Sequence, residues 1–388
     1  MSTTFVHAHA AHGDALQALA RVNGELHAAA ERHEGFQPTL GFLYFSDHHA
    51  AHAEAMLEAL RAAWPGIAVV GGVGIGVAAS GVEYFDEPGL ALMLCDLPRH
   101  SFSLFHGRAP LARVDACAAL VHADPSTHDL PALIAELSER LPTGYLFGGL
   151  ASSRARTLTL ADGVFEGGLS GVAFARNVPL LSRVTQGCQP LSRPRRVTAA
   201  EGNLVLGLDG APALPQWLAE LRVDLSDVST VVAALRRTLV GLTDAGDQAL
   251  ARGGQFGTDT RVRHLIGLDP ARQGIAVADL VAPGAQLAFC TRDVDAARRD
   301  LVRVCSELRE EAESGQAGDA SGTPRRIAGA IYVSCTGRGG GHFGAPSAEM
   351  QTVRRALGDV PLVGFYAAGE IARHHLYGYT GVLTAFLD

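Results

Sequence analysis

The chain has 388 residues, 47% hydrophobic and 19% charged, enough to bury one large core or two, and its net charge of −8 leaves no basic stripe for a phosphate backbone. All 32 basic residues are arginine, which excludes a lysine Schiff base, an internal pyridoxal phosphate linkage and a lysine-bearing phosphate loop. No apolar run approaches the ~20 residues of a bilayer span, no leader pattern opens the chain, and six dispersed cysteines form no close pairs, so we expect a cytoplasmic protein with reduced thiols and no nucleic-acid partner.

In chain order, residues 1–35 read as a helical lead-in with apolar positions Leu16, Leu19 and Leu26, opening on a stretch whose His7, His9 and His12 read as a disordered tail or, in the alternative, as loose metal ligands. Strand, helix and strand follow over 40–77, with a further strand at 90–95. A second unit over 114–176 ends in a strand at 168–175. Residues 195–208 read as a hairpin turning at Glu201-Gly202-Asn203. Helices at 214–221 and 228–240 lead to strands at 264–268 and 287–290 and a helix at 295–311. The stretch 313–324, rich in Gly, Ser, Ala and Asp, reads as a mobile surface loop before a last strand-helix-strand unit and a closing strand at 381–387.

Three of these units echo one another. Leu57, Leu60, Trp64, Gly71 and Gly76 recur at an offset of 293 as Met350, Val353, Leu357, Gly364 and Gly369, and the helix and strand recur at offset 77 through Ile134, Leu137 and Leu141 to Gly148-Gly149. Upstream, Gly41-Phe42-Leu43-Tyr44-Phe45-Ser46 matches Gly329-Ala330-Ile331-Tyr332-Val333-Ser334 at offset 288, which puts five extra residues between strand and helix of the last copy. Each copy reads as an amphipathic helix, a short turn, a strand buried on both faces, then glycine. The expected fold is α/β: two related domains, 36–190 and 191–388, with mixed, largely buried sheets flanked by helices.

The run Tyr332-Val333-Ser334-Cys335-Thr336-Gly337-Arg338-Gly339, with Val360-Pro361-Leu362-Val363-Gly364-Phe365-Tyr366-Ala367-Ala368-Gly369-Glu370-Ile371, resembles the FIST C domain. The upstream half, through Val70-Gly71-Gly72, Phe147-Gly148-Gly149-Leu150-Ala151-Ser152 and Val184-Thr185-Gln186-Gly187-Cys188-Gln189-Pro190, resembles its partner FIST N. The resemblance implies a sensory protein of signal transduction that binds an amino acid or related metabolite and passes its output to a separate signalling protein. Some members of that family are described as haem-binding nitric oxide sensors, so haem sensing is the alternative to a site without a cofactor.

The extra residues fall in the glycine-rich loop 335–342. Consecutive loop amides and the Arg338 guanidinium suit a carboxylate or phosphate. Glu370, at the end of the matching strand, would lie at the same sheet edge, so Arg338 and Glu370 either hold a zwitterion together or pair with each other. The expected ligand site is Cys335, Thr336, Arg338, Tyr366 and Glu370, with Gly74, Gly76, Ser152 and Ser153 contributed from the first half. A thiol enzyme is the second alternative, with Cys335 as nucleophile, Arg338 lowering its pKa and His342, His374 or His375 as base. Gly74-Ile75-Gly76-Val77-Ala78-Ala79 fits a dinucleotide fingerprint but lacks the helix that must follow it. His48 and His52, one helical turn apart after the expected cap Asp47, are the candidate metal or haem ligands.

Overall fold

The computed structural model describes residues 3–111, 115–247, 256–257, 259–315 and 323–388. Most of the expected 313–324 loop lies outside them. The described chain is α/β and divides into two compact units, one of residues 1–185 and 298–388, the other of 186–297. The division departs from the expected 36–190 and 191–388. The change of unit falls close to Pro190, but the chain returns to the first unit after Ala297, and all three copies of the repeat belong to that unit.

In the first unit each copy forms a parallel pair at the middle of its own six-stranded sheet. Leu40–Ser46 pairs with Ala68–Gly74, Ala116–Ala123 with Tyr145–Leu150, and Ile327–Cys335 with Leu362–Ala367. The strands after each copy cross to a different sheet. Gly76–Ala79 adds to the last copy's sheet, Thr159–Ala161 to the first copy's, and Glu370–Ala372 to the middle copy's. This cyclic exchange ties the three sheets around one core, in which Phe42, Val70, Leu120, Phe147, Ile331 and Val363 are all buried.

The recurring glycine has a steric cause. Leu43 stands opposite Gly71, Val121 opposite Gly148 and Tyr332 opposite Gly364. A β-carbon on any of the three glycines would fall inside the van der Waals radius of that partner's carbonyl oxygen. Gly71 and Gly148 also have φ of 148° and 138°, where side chains are strained. These pairings fix the register. Tyr332 corresponds to Leu43, an offset of 289, so the last copy's loop is longer by four residues, and Tyr44 matches Val333 in place of Tyr332. The single-residue difference reverses the face: Tyr44 and Val333 enter the shared core, while Tyr332 points to the other side.

The N-terminus also departs from expectation. Phe5–Ala11 is a strand antiparallel to Gly89–Cys95, with Phe5, Val6 and Ala8 buried, and the helix begins only at Ala15. Apolar residues interleaved with histidines give a strand its packed side, and His9 Nδ1 lies 2.6 Å from the Tyr84 hydroxyl. The second unit is a ring of antiparallel strands. Gln286–Arg292, Arg195–Glu201, Leu204–Leu208, Gly274–Val277, Arg261–Asp269 and Leu239–Thr243 pair in that order, and the last returns to the first. Trp217 and Phe289 are among its buried residues.

Gly364→Ala should therefore destabilise the chain by about 1–3 kcal/mol or more in urea unfolding, the cost of overpacking against backbone that cannot retreat. Gly24→Ala, inside the helix Ala15–Ala30 with nothing within 4 Å of the added carbon, should instead stabilise it by about 0.5–1 kcal/mol.

Candidate functional site

The last copy's strand Ile327–Cys335 ends in a turn closed by Arg338 N donating to Cys335 O at 2.8 Å. The turn sends the Arg338 side chain inward, where it is 1% exposed. Its partner is Glu349, in the first turn of the helix Ala348–Leu357, with Nε and Nη2 each 2.8 Å from Oε1. Tyr332 donates to the same oxygen at 2.7 Å, and Ser334 lies 3.1 Å from both carboxylate oxygens. Tyr366 reaches Oε2 at 3.4 Å. The Arg338 guanidinium also sits 5.2 Å from the centroid of Phe343. Burial opposes its charge, but Tyr332 and Glu349 outweigh burial and raise its pKa.

Of the two alternatives for Arg338 and Glu370, direct pairing is not what forms: Arg338 pairs with Glu349. A second buried carboxyl, Glu83, joins from the exchanged strand Val82–Phe85, accepting from Met350 N at 3.0 Å at the start of the same helix. Burial pushes its pKa up to about 7, with the Met350 hydrogen bond acting the other way and the Glu349 charge adding to the rise. Sequence offered a signal for Glu349, which occupies the apolar face four residues before Val353. None marked Glu83.

Glu370 lies close by in the exchanged strand Glu370–Ala372 and is fully buried. Its Oε2 accepts from Thr380 N at 3.1 Å and Thr380 Oγ1 at 2.7 Å. Its Oε1, like Arg338 Nη1, is a buried atom without a hydrogen-bond partner among the described residues. Burial pushes the Glu370 pKa up to about 8 against the Thr380 hydrogen bonds, the Arg338 charge and the adjacent Cys335 thiol. Cys335 is raised to about 12, by burial first and by the Glu370 charge second. That shift is opposite to the activated thiolate expected beside Arg338, whose influence is too small to reverse it.

Thr336 is half-buried on the turn, its N–H donating to Ala367 O at 2.9 Å. Ser152 ties the first-half loop to this place, accepting from Ile75 N at 2.9 Å and donating to Tyr366 O. A β-carbon at Gly74 would meet Gly76 O at 2.5 Å, so Gly74 and Gly76 are packed backbone. They end one strand and begin another, without the helix of a dinucleotide site. Ser153 keeps to its own loop, where its Oγ accepts from Ala155 N at 3.0 Å.

Asp47 is not a cap. Its carboxylate takes Arg154 Nε and Nη2 at 2.8 Å, and His48 Nδ1 lies 3.4 Å from it. His48 and His52 fall in a 3-10 turn, Asp47–His52, with His52 exposed, and no group of three potential metal ligands occurs among the described residues.

Replacing Glu349 by Ala would strand the buried guanidinium, and urea unfolding should show a loss of about 3–5 kcal/mol. Between 4.5, the ordinary carboxylate value, and about 8, the folded chain keeps a proton on Glu370 that the unfolded chain has released. Glu370's own contribution to stability should therefore fall as pH rises through that window, so the stability difference between the wild type and Glu370→Gln should shrink from acid to alkaline pH.

Comparison with known proteins places this geometry among relatives. The FIST N domain model matches residues 39–211 and the FIST C domain model residues 218–373. A Mycobacterium bovis protein described only as uncharacterized is 32% identical over 395 residues, covering 97% of this chain and 96% of its own. A Mycobacterium tuberculosis protein with the same description is 32% identical over 379 residues, 93% of this chain and 94% of its own. Among solved structures, phosphoribosylformylglycinamidine synthase II of Thermotoga maritima aligns with 99% of this chain and 72% of its own at 10% identity, but its TM-score of 0.22 carries no argument.

Proposed function

We propose that this chain, which belongs to the FIST family, is a cytoplasmic sensor of a small zwitterionic metabolite of the amino-acid type. The ligand carboxylate is taken by Arg338 and its ammonium by Glu370. One observation carries this reading: two groups of opposite charge character, both buried beside Cys335, each keep one atom without a partner among the described residues. A buried polar atom left unpaired costs about 1–3 kcal/mol, and a zwitterion supplies both missing partners at once.

Cys335 and Thr336 form the turn beside the ligand, with Tyr366, Gly74, Gly76, Ser152 and Ser153 as the surrounding frame. Because Arg338 is enclosed, the ligand enters by displacing the glycine-rich loop. Glu83 and Glu349 hold the start of the helix Ala348–Leu357, so that displacement reaches the helix and, through it, a separate signalling protein.

At neutral pH an arriving ammonium would drive a proton off Glu370, so binding should release a proton. A thermal-shift screen of amino acids should find at least one that raises Tm, and calorimetry of that compound should show an enthalpy that varies with the buffer's ionisation heat. Glu370→Gln should abolish the proton release and weaken binding at least about tenfold. A screen without any rise, or unchanged binding in Glu370→Gln, contradicts the proposal. A stoichiometric Soret band in the purified protein would replace it with haem sensing.

A further inference from the structure

A cleft of 790 Å³ opens in the first unit at the starting ends of the middle copy's parallel strands, away from the turn at Cys335. We infer that this cleft is a second binding site, for an organic anion with an apolar body. Its volume lies within the range of about 300–1,000 Å³ typical of small-molecule sites, and a free amino acid would leave most of it unfilled. Ala118, Tyr145, Pro179 and Leu180, each only half-buried, give the lining its apolar surface. Those side chains call for an apolar body to cover them.

Charge enters from three arginines on the lining, Arg176, Arg183 and Arg325. Arg183 is already engaged by Glu311 and lies 3.5 Å from Glu307. Arg176 differs: it is exposed, has no ion-pair partner among the described residues, and also borders an adjoining recess of 650 Å³. Its planar fork suits a carboxylate held by two parallel hydrogen bonds. Ser182 and Thr384 also line the cleft, their hydroxyls hydrogen-bonded to each other at 2.7 Å.

The site shares no residue with the Arg338 and Glu370 pair, and its test separates the two. Isothermal calorimetry with naphthoate and with decanoate should give saturable binding of one anion per chain. The neutral isostere naphthamide should bind at least about tenfold more weakly, as should naphthoate to Arg176→Gln, and Arg176→Glu should bind more weakly still. Arg176 is exposed, so neither substitution should unfold the chain, which circular dichroism checks. Binding should persist in Glu370→Gln, whatever that variant does to amino acids. Absence of saturation by both anions up to millimolar concentration, or equal affinity in wild type and Arg176→Gln, overturns the inference.

Discussion

The first unit depends on a backbone contact that only glycine permits. At Gly71, Gly148 and Gly364 the neighbouring strand's carbonyl occupies the space of a β-carbon. That approach draws each parallel pair together at the same level, and it sets which residues face the shared core and which face the flanking helices. The exchanged strands then follow, each leaving its own copy just past the close pair and entering another sheet. Closure of this cycle removes the freedom of any one copy to move independently. It also brings residues far apart in sequence, such as Glu83 and Glu349, to one helix start.

Into this surround the last copy places more ionisable groups than it pairs. Arg338 faces Glu349 directly, while Glu83 and Glu370 are held at raised pKa values by burial. Buried polar networks are stabilising when every member is satisfied, and costly when one is not. In this network Arg338 Nη1 and Glu370 Oε1 remain without a hydrogen-bond partner among the described residues. The copies differ at this point: at Leu43, the position equivalent to Tyr332, the first copy carries an apolar side chain.

Much of this was legible in the sequence, because period and glycine placement are local signals. The helices Ala53–Ala63, Leu130–Glu139 and Ala348–Leu357, their following strands and the hairpin after Arg195 all stand where apolar spacing and turn residues put them. The division of the chain was not legible, since nothing in the composition near Ala297 marks a return to the first unit. Register slipped by one because the tyrosines at 44 and 332 align by identity while their backbones do not. Cys335, Arg338, Tyr366 and Glu370 do lie near one another, but Glu349 as Arg338's partner was not foreseen. The pairing with Glu349 depends on a turn and a helix start meeting in space, and sequence spacing alone does not reveal that.

In the proposed function Glu370, buried and half-satisfied, takes the ligand's cationic group. Carbon-13 NMR of the Glu370 side-chain carboxyl, titrated in the ligand-free protein and again with a bound amino acid, tests it directly. The midpoint should lie near the raised value of about 8 without ligand and fall markedly when the ammonium arrives. A midpoint near the ordinary 4.5 in the free protein, or one that ligand leaves unmoved, would contradict it.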